Sequence, residues 1–352
     1  MIDRALHHLR TIVGHSTVNP PRAITPDHPV IAHAAETLGG AGFTVEIEDL
    51  GEGCVCLLAL RGNPALLVNC HLDTVPPDPD WSTDPFELRL EGDRVIGLGV
   101  CDVKGAAACQ LAAAQETSGD AAILFTTDEE AGQSRCVRHA AERLAGRFAS
   151  VVVSEPTNLR AVTAHRGVLS VEAEFFGDGG HASTVGRRGR SAIHDACDWC
   201  ATALEQAERV DHLRFNVGAI QGGTKPNMIA ARAAVRFSMR PETEADTRLD
   251  WLHACLPFGA RTEWRTRFHA PPLRPTRESS ELASELGLAT GEPVMFWTEA
   301  ALFAAHRLPT IVFGPGDIDQ AHAPQESVPL AHLAGATETY ARWFSDNARS
   351  TT

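Results

Sequence analysis

Five short stretches of the chain carry side chains whose types and spacing could do chemistry. In His71-Leu72-Asp73 the imidazole and the carboxylate fall on the same side of an extended segment. A carboxylate so placed can hold the tautomer and orientation of a metal-binding histidine. Asp102 stands in Gly97-Leu98-Gly99-Val100-Cys101-Asp102-Val103-Lys104-Gly105, just ahead of a helix predicted from Gly105. Asp128-Glu129-Glu130 sets three acids in a row, Glu155 follows in Ser154-Glu155-Pro156-Thr157, and His322 lies in a loop rich in Gly and Pro. Each has a plain structural alternative. Asp102 can be a helix N-cap, the acid run a solvated turn, Glu155 a turn residue before proline, and His322 a surface residue. Together, however, they offer two histidines and the three carboxylates of Asp102, Glu130 and Glu155, with Glu129 as a further acid beside one of them. Carboxylates crowded at a buried strand end repel one another unless cations neutralise them. Adjacent residues cannot all face one point, so one carboxylate of the acid run can bind a metal while its neighbour serves as base. Mixed histidine and carboxylate ligands with one shared carboxylate suit a two-metal hydrolytic site, the ions roughly 3.5–4 Å apart. Both donor types suit zinc.

The elements that must position these residues follow a common design. Apolar runs at 64–70, 121–125, 151–153 and 309–313 are each short and continuous, as in buried, largely parallel strands. The first runs into His71, the second into the acid row, the third into Ser154 and Glu155. The fourth runs into Gly314-Pro315-Gly316, with His322 shortly after. Helical patterns at 105–116, 135–145 and 278–287 separate them, which predicts an α/β layer fold with a mostly parallel sheet flanked by helices. Ligands of such sheets bind at the carboxyl ends of the strands, so distant residues can converge there. The glycines at 97, 99 and 105 invite a dinucleotide-binding reading, but Asp102 occupies the third place of the G-x-G-x-x-G spacing.

The middle of the chain has a different rhythm. Alternating strand patterns at 168–176, 214–220 and 233–240 mix with helical patterns from Ser191 and at 247–255. This order predicts a smaller α+β domain with an antiparallel sheet, spanning 165–270, inserted into a larger domain made of 1–164 and 271–352. The hinges are expected near 164–167 and 270–275.

Composition narrows the partners. With 31 Lys and Arg against 45 Asp and Glu, the 352-residue chain has a formal net charge of −14. So acidic a chain without a basic run is a poor match for nucleic acid. No apolar stretch reaches membrane-spanning length. The stretch 1–13 reads as an amphipathic helix, not as the apolar core of a signal peptide. Nine scattered cysteines, including Cys197 and Cys200 inside a helical pattern, are expected as reduced thiols of a cytoplasmic protein.

Ordered along nearly the whole chain, these motifs resemble the dinuclear zinc aminoacylase and metallopeptidase family M20. The resemblance covers H-x-D-x-V at 71–75, G-x-G-x-x-D-x-K-G at 97–105, D-E-E at 128–130 and E-P-T at 155–157. It continues through A-H-R-G at 164–167, G-H-A-S at 180–183, the segment 222–227 and Met239-Arg240-Pro241. It ends with Thr298-Glu299-Ala300, G-P-G at 314–316 and Gln320-Ala321-His322. The E-P-T, A-H-R-G, T-E-A and Q-A-H elements look most like the acetylornithine deacetylase branch, and the stretches around Trp297 and 313–318 look closer still to its acetylcitrulline-specific members.

The resemblance implies two zinc ions per subunit, with cobalt or manganese able to substitute. His71 and Glu155 would hold one, Glu130 and His322 the other, and Asp102 would bridge them. Asp73 would support His71, and Glu129 would be the general base. On the inserted domain, which in the family is a lid and dimerisation domain, His181 would stabilise the oxyanion. Asn227 and Arg240 would hold the substrate, a guanidinium fork fitting an α-carboxylate. The implied reaction removes the acetyl group of N-acetylornithine or N-acetylcitrulline in a cytoplasmic homodimer, small molecules being the only expected partners. A broader aminoacylase or dipeptidase, or a binding protein that kept the fold, remain the alternative readings.

Overall fold

The computed structural model describes residues 1–132, 134–184, 189–210 and 214–345. They belong to two compact units: Met1–Ala164 with Arg274–Val294 and the chain from Thr298, and His165–Leu273 with Met295–Trp297.

The first unit is built on a six-stranded sheet ordered Thr44–Asp49, Val55–Arg61, Ala121–Thr126, Leu66–His71, Ser150–Val153 and Thr310–Val312. The last four strands run parallel, and Val55–Arg61 pairs antiparallel with both of its neighbours. Ala121–Thr126, Ser150–Val153 and Thr310–Val312 are buried at every residue, which is why they read as unbroken apolar runs: helices cover both faces. The helix Lys104–Glu116 is buried from Lys104 to Ala114. Its run of alanines lets Ile2–Val13 and Leu330–Ser345 pack directly against it. A small antiparallel sheet, Ser327–Pro329, Arg94–Ile96 and Arg89–Glu91, lies in the same unit.

Register aligns the strand exits. His71 stands opposite Thr126, Asn69 opposite Val153, and Val153 opposite Val312. The four segments that follow these strands therefore leave from one end of the sheet, as the apolar runs predict.

The second unit is a four-stranded antiparallel sheet, Phe215–Gly222, Arg232–Met239, Val168–Phe176 and Arg261–Ala270. The helix Ala192–Glu208 packs on it through Trp199, which is fully buried among Phe175, Phe237 and Trp264. A two-stranded ribbon pairs Gly180–His181 with Met228–Ile229.

The strands Thr44–Asp49, Val55–Arg61 and Arg261–Ala270 and the helix Leu330–Ser345 are elements the sequence reading did not anticipate. Arg261–Ala270 is mostly exposed and charged, so no apolar run announces it. The predicted helix at 247–255 is shorter, Asp250–Ala254, preceded by a 3-10 turn at Glu244–Thr247. Residues 271–273 go with the second unit because His165 and Leu273 exchange two backbone hydrogen bonds, both 3.1 Å. All nine cysteines are free, and no helix among the described residues is long and apolar enough to cross a membrane.

Candidate metal centre

Five of the residues singled out in the sequence converge at the strand exits of the first unit. They form two donor groups that could each hold a metal ion: His71, Asp102 and Glu155, and Asp102, Glu130 and His322. Within each group the donor atoms lie within 4.8 Å of one another. Asp102 belongs to both and divides its oxygens between them. His71 Nε2 is 3.1 Å from Asp102 Oδ1 and 3.8 Å from Glu155 Oε1. His322 Nε2 is 3.2 Å from Asp102 Oδ2 and 2.9 Å from Glu130 Oε1.

Local structure puts each donor in place. Asp102 is not a helix cap: the helix Lys104–Glu116 has Val103 at its N-cap position and no side-chain cap. Glu155 follows a fully buried strand, and the chain at Gly314 passes so close to it that a Cβ there would lie 2.6 Å from the Glu155 carbonyl oxygen. Only glycine fits that approach. His322 has a left-handed backbone (φ 57°), a conformation a non-glycine residue holds only when its surroundings impose it.

Acids that are not in the donor groups organise the backbone. His71 Nδ1 is 3.0 Å from the Asp73 carbonyl oxygen and 3.5 Å from the Asp73 carboxylate. So Asp73 orients the imidazole mainly through its backbone. Its carboxylate instead accepts the N–H groups of Glu129 (3.3 Å) and Glu130 (3.0 Å), fixing the acid row. Asp128 accepts the N–H of Cys136 at 3.2 Å and that of Arg135, at the start of the helix Arg135–Arg143. Its carboxylate is taken up by the backbone at that helix start.

The electrostatics call for positive charge. Burial pushes the Glu129 and Glu155 carboxyls well above the usual range. The His71 imidazole opposes this in both, while Glu130 adds to it in both and Asp102 adds to it in Glu155. Burial also raises Glu130, against a hydrogen bond to His322. Burial opposes ionisation of Asp102 too, but hydrogen bonds to His322 and His71 hold it well below the ordinary carboxylate value. Hydrogen bonds to Asp102 and Glu130 lift His322 to about 11. A site that raises its acids and binds protons on its histidines is one where cations bind well. The donor set of imidazole and carboxylate fits divalent ions of the zinc type.

The other expected site residues lie in the second unit. His181 is exposed, its Nδ1 2.8 Å from Ser183 Oγ. Exposed Asn227 accepts the N–H of Ala182 at its carbonyl (2.9 Å). Arg240 is half-buried, and its carbonyl accepts a hydrogen bond from Arg166 at 3.2 Å. Two buried acids near the donor groups received no role from the sequence. Glu299, in the T-E-A motif, is pushed up to about 8 by burial and neighbouring acids. Glu326 contacts the loop that carries Asp102. For Glu326 the one available signal is its position four residues after His322.

The family model for peptidase family M20/M25/M40 matches residues 67–346. An N-acetyl-L-citrulline deacetylase of Xanthomonas campestris is 43% identical over 97% of this chain and 98% of its own length. An acetylornithine deacetylase of Myxococcus xanthus is 32% identical over 90% of this chain and 91% of its own. Among solved structures, a tripeptidase of Staphylococcus aureus superimposes with a TM-score of 0.79 at 18% identity, covering 99% of both chains. An M20 family metallo-carboxypeptidase of Sulfolobus solfataricus gives a TM-score of 0.75 at 18% identity, over 97% of this chain and 98% of that one.

The shared position of Asp102 has a measurable consequence. Asp102→Ala should weaken both cation sites together, whereas Glu130→Ala should weaken one and spare the other. Stepwise zinc titration of the metal-free proteins distinguishes the two patterns. Two tightly held zinc ions in Asp102→Ala would show that the carboxylate is not shared.

Proposed function

Because the chain belongs to peptidase family M20/M25/M40, we propose that it hydrolyses the acetamide of an N-acetyl amino acid of arginine biosynthesis, releasing acetate and the free amino acid. The observation that carries this reading is Asp102, with one oxygen in each of two donor groups and with Glu129 adjoining Glu130 beside them. Two divalent cations, zinc by the character of the donors, would be held by His71, Asp102, Glu130, Glu155 and His322; bound there, they supply the Lewis acidity that polarises an acetyl carbonyl and lowers the pKa of a water.

The chain's own residues do the rest. Glu129 takes a proton from the attacking water as the new C–O bond forms, and delivers it to the leaving nitrogen as the C–N bond breaks. Asp73 keeps Glu129 in place by accepting its N–H, and orients His71 through its carbonyl. His181 stabilises the oxyanion, and Asn227 and Arg240 bind the α-carboxylate of the substrate. The working unit in this proposal is a homodimer formed through the second unit, with His181 acting on the partner's site. Its setting is the cytoplasm, which suits nine free cysteines.

N-Acetylcitrulline and N-acetylornithine share the acetamide and the carboxylate and differ only at the far end, a ureido group against an ammonium. The greater identity to the citrulline-acting relative favours the neutral end. With the zinc-loaded protein, kcat/KM for N-acetyl-L-citrulline should exceed that for N-acetyl-L-ornithine by at least about tenfold. Equal values would refute the preference, and failure to release acetate from either would refute the activity.

Glu129→Ala should keep its zinc and lose about 10²–10⁴-fold in kcat. His181→Ala should also be impaired. If His181 acts on the partner's site, subunit exchange between these two variants creates dimers with one intact site, and up to about half of the activity per heterodimer returns. No recovery in exchanged dimers, or full activity in a monomer, would overturn the shared site.

Removing a charged partner of the substrate costs about 2–5 kcal/mol. Arg240→Ala should therefore slow hydrolysis of N-acetyl amino acids far more than that of their α-amides. Equal losses on both would remove Arg240 from carboxylate recognition.

A further inference from the structure

Glu326 sits one residue before the strand Ser327–Pro329, which pairs antiparallel with Arg94–Ile96 so that Ser327 faces Ile96. This register carries the chain on until the N–H of Gly97 donates to the Glu326 carbonyl at 3.2 Å. The side chain continues along the same loop. Glu326 Oε2 accepts the N–H of Gly99 at 2.8 Å, and Oε1 accepts those of Cys101 at 2.7 Å and Asp102 at 2.9 Å. The residue is 2% exposed. A carboxylate that deep is costly unless its oxygens are filled, and here three backbone donors fill them. Such hydrogen bonds to an ionised acceptor are short and strong. The nearby Lys104 is also fully buried, and its ammonium lies in the field of Glu326 and Asp73.

One short segment therefore holds Asp102 at both ends. His322 Nε2 lies 3.2 Å from the Asp102 carboxylate, and four residues later Glu326 takes the Asp102 N–H. We propose that Glu326 is a positioning residue of the metal centre, locking the 99–102 loop against the His322 loop so that the two oxygens of Asp102 stay divided between the donor groups. The inference rests on the two-cation reading above. It adds a consequence that a ligand does not have: Glu326 belongs to neither donor group, yet its loss acts on both through the shared carboxylate.

The test uses metal-free full-length protein titrated with zinc against a chromophoric chelator, for wild type, Glu326→Ala and Glu326→Gln. Circular dichroism and thermal unfolding of the metal-free proteins are recorded alongside. Groups that orient metal ligands typically cost 10–100-fold in metal affinity when removed. Glu326→Ala should lose about that much at both sites while keeping the wild-type circular dichroism. Glu326→Gln keeps one acceptor oxygen for Cys101 and Asp102 but turns an amide N–H toward Gly99, so its affinities should fall in between. Wild-type affinity at both sites in a folded Glu326→Ala would overturn the proposal, and so would a loss confined to one site. If Glu326→Ala does not fold, Glu326→Gln decides: weakened binding at both sites supports the role, and unchanged binding overturns it. A wild type that takes up fewer than two zinc ions would overturn the two-cation reading itself, and this role with it.

Discussion

Asp102 must present one carboxylate oxygen to each of two donor groups, and much of the first unit is arranged around that requirement. A single carboxylate can do this only if its backbone is immobile and its neighbours arrive from opposite sides. His71 comes from the end of the central strand Leu66–His71, and His322 from a loop beyond the edge strand Thr310–Val312. Burial penalises the ionised form of Asp102, and the two imidazoles more than repay it. The same burial makes Glu129, Glu130 and Glu155 reluctant to ionise together, so the pocket favours multivalent positive charge.

A second tier of acids keeps this arrangement rigid without belonging to it. Asp73, Asp128 and Glu326 are buried, and each spends its oxygens mainly on backbone N–H groups. Asp73 ties the acid row to the strand of His71, Asp128 starts the helix after that row, and Glu326 ties the Asp102 loop to the segment from His322. A carboxylate suits this task because it accepts several donors at once, where a neutral carbonyl would bind them less strongly. The strands beneath supply the coarse alignment. Their parallel register brings four exits to one end of the sheet, and the acids refine it by hydrogen bonds.

The residues proposed for chemistry are divided between the two units in a way that separates the tests of their roles. All five donor residues and Glu129 belong to the first unit, while His181, Asn227 and Arg240 belong to the second. Metal affinity would therefore test the roles proposed for the first set, and substrate preference and subunit exchange those proposed for the second. The relatives it matches in sequence are named deacetylases and the solved structures it superimposes on are named peptidases, so the fold by itself does not choose the acyl group or the amine.

The candidate donor residues were legible in the sequence because residue type and position coincide there. His71, the acid row and Glu155 each follow an apolar run that could only be a buried strand, and His322 follows the fourth. Residue type and strand exit together implied a shared metal site, and the ordered motifs implied the family. Tertiary structure decided what depends on register and distance. That Asp73 orients His71 by its carbonyl while its carboxylate serves Glu129 and Glu130 turns on about half an ångström, 3.0 against 3.5 Å. That Glu326 serves Asp102 depends on the pairing of two three-residue strands more than two hundred positions apart in the chain. The strand Arg261–Ala270 was hidden because its exposed, charged residues give no apolar run. Local patterns record what a segment buries; which distant backbone groups a buried carboxylate meets is fixed only when the strands are paired.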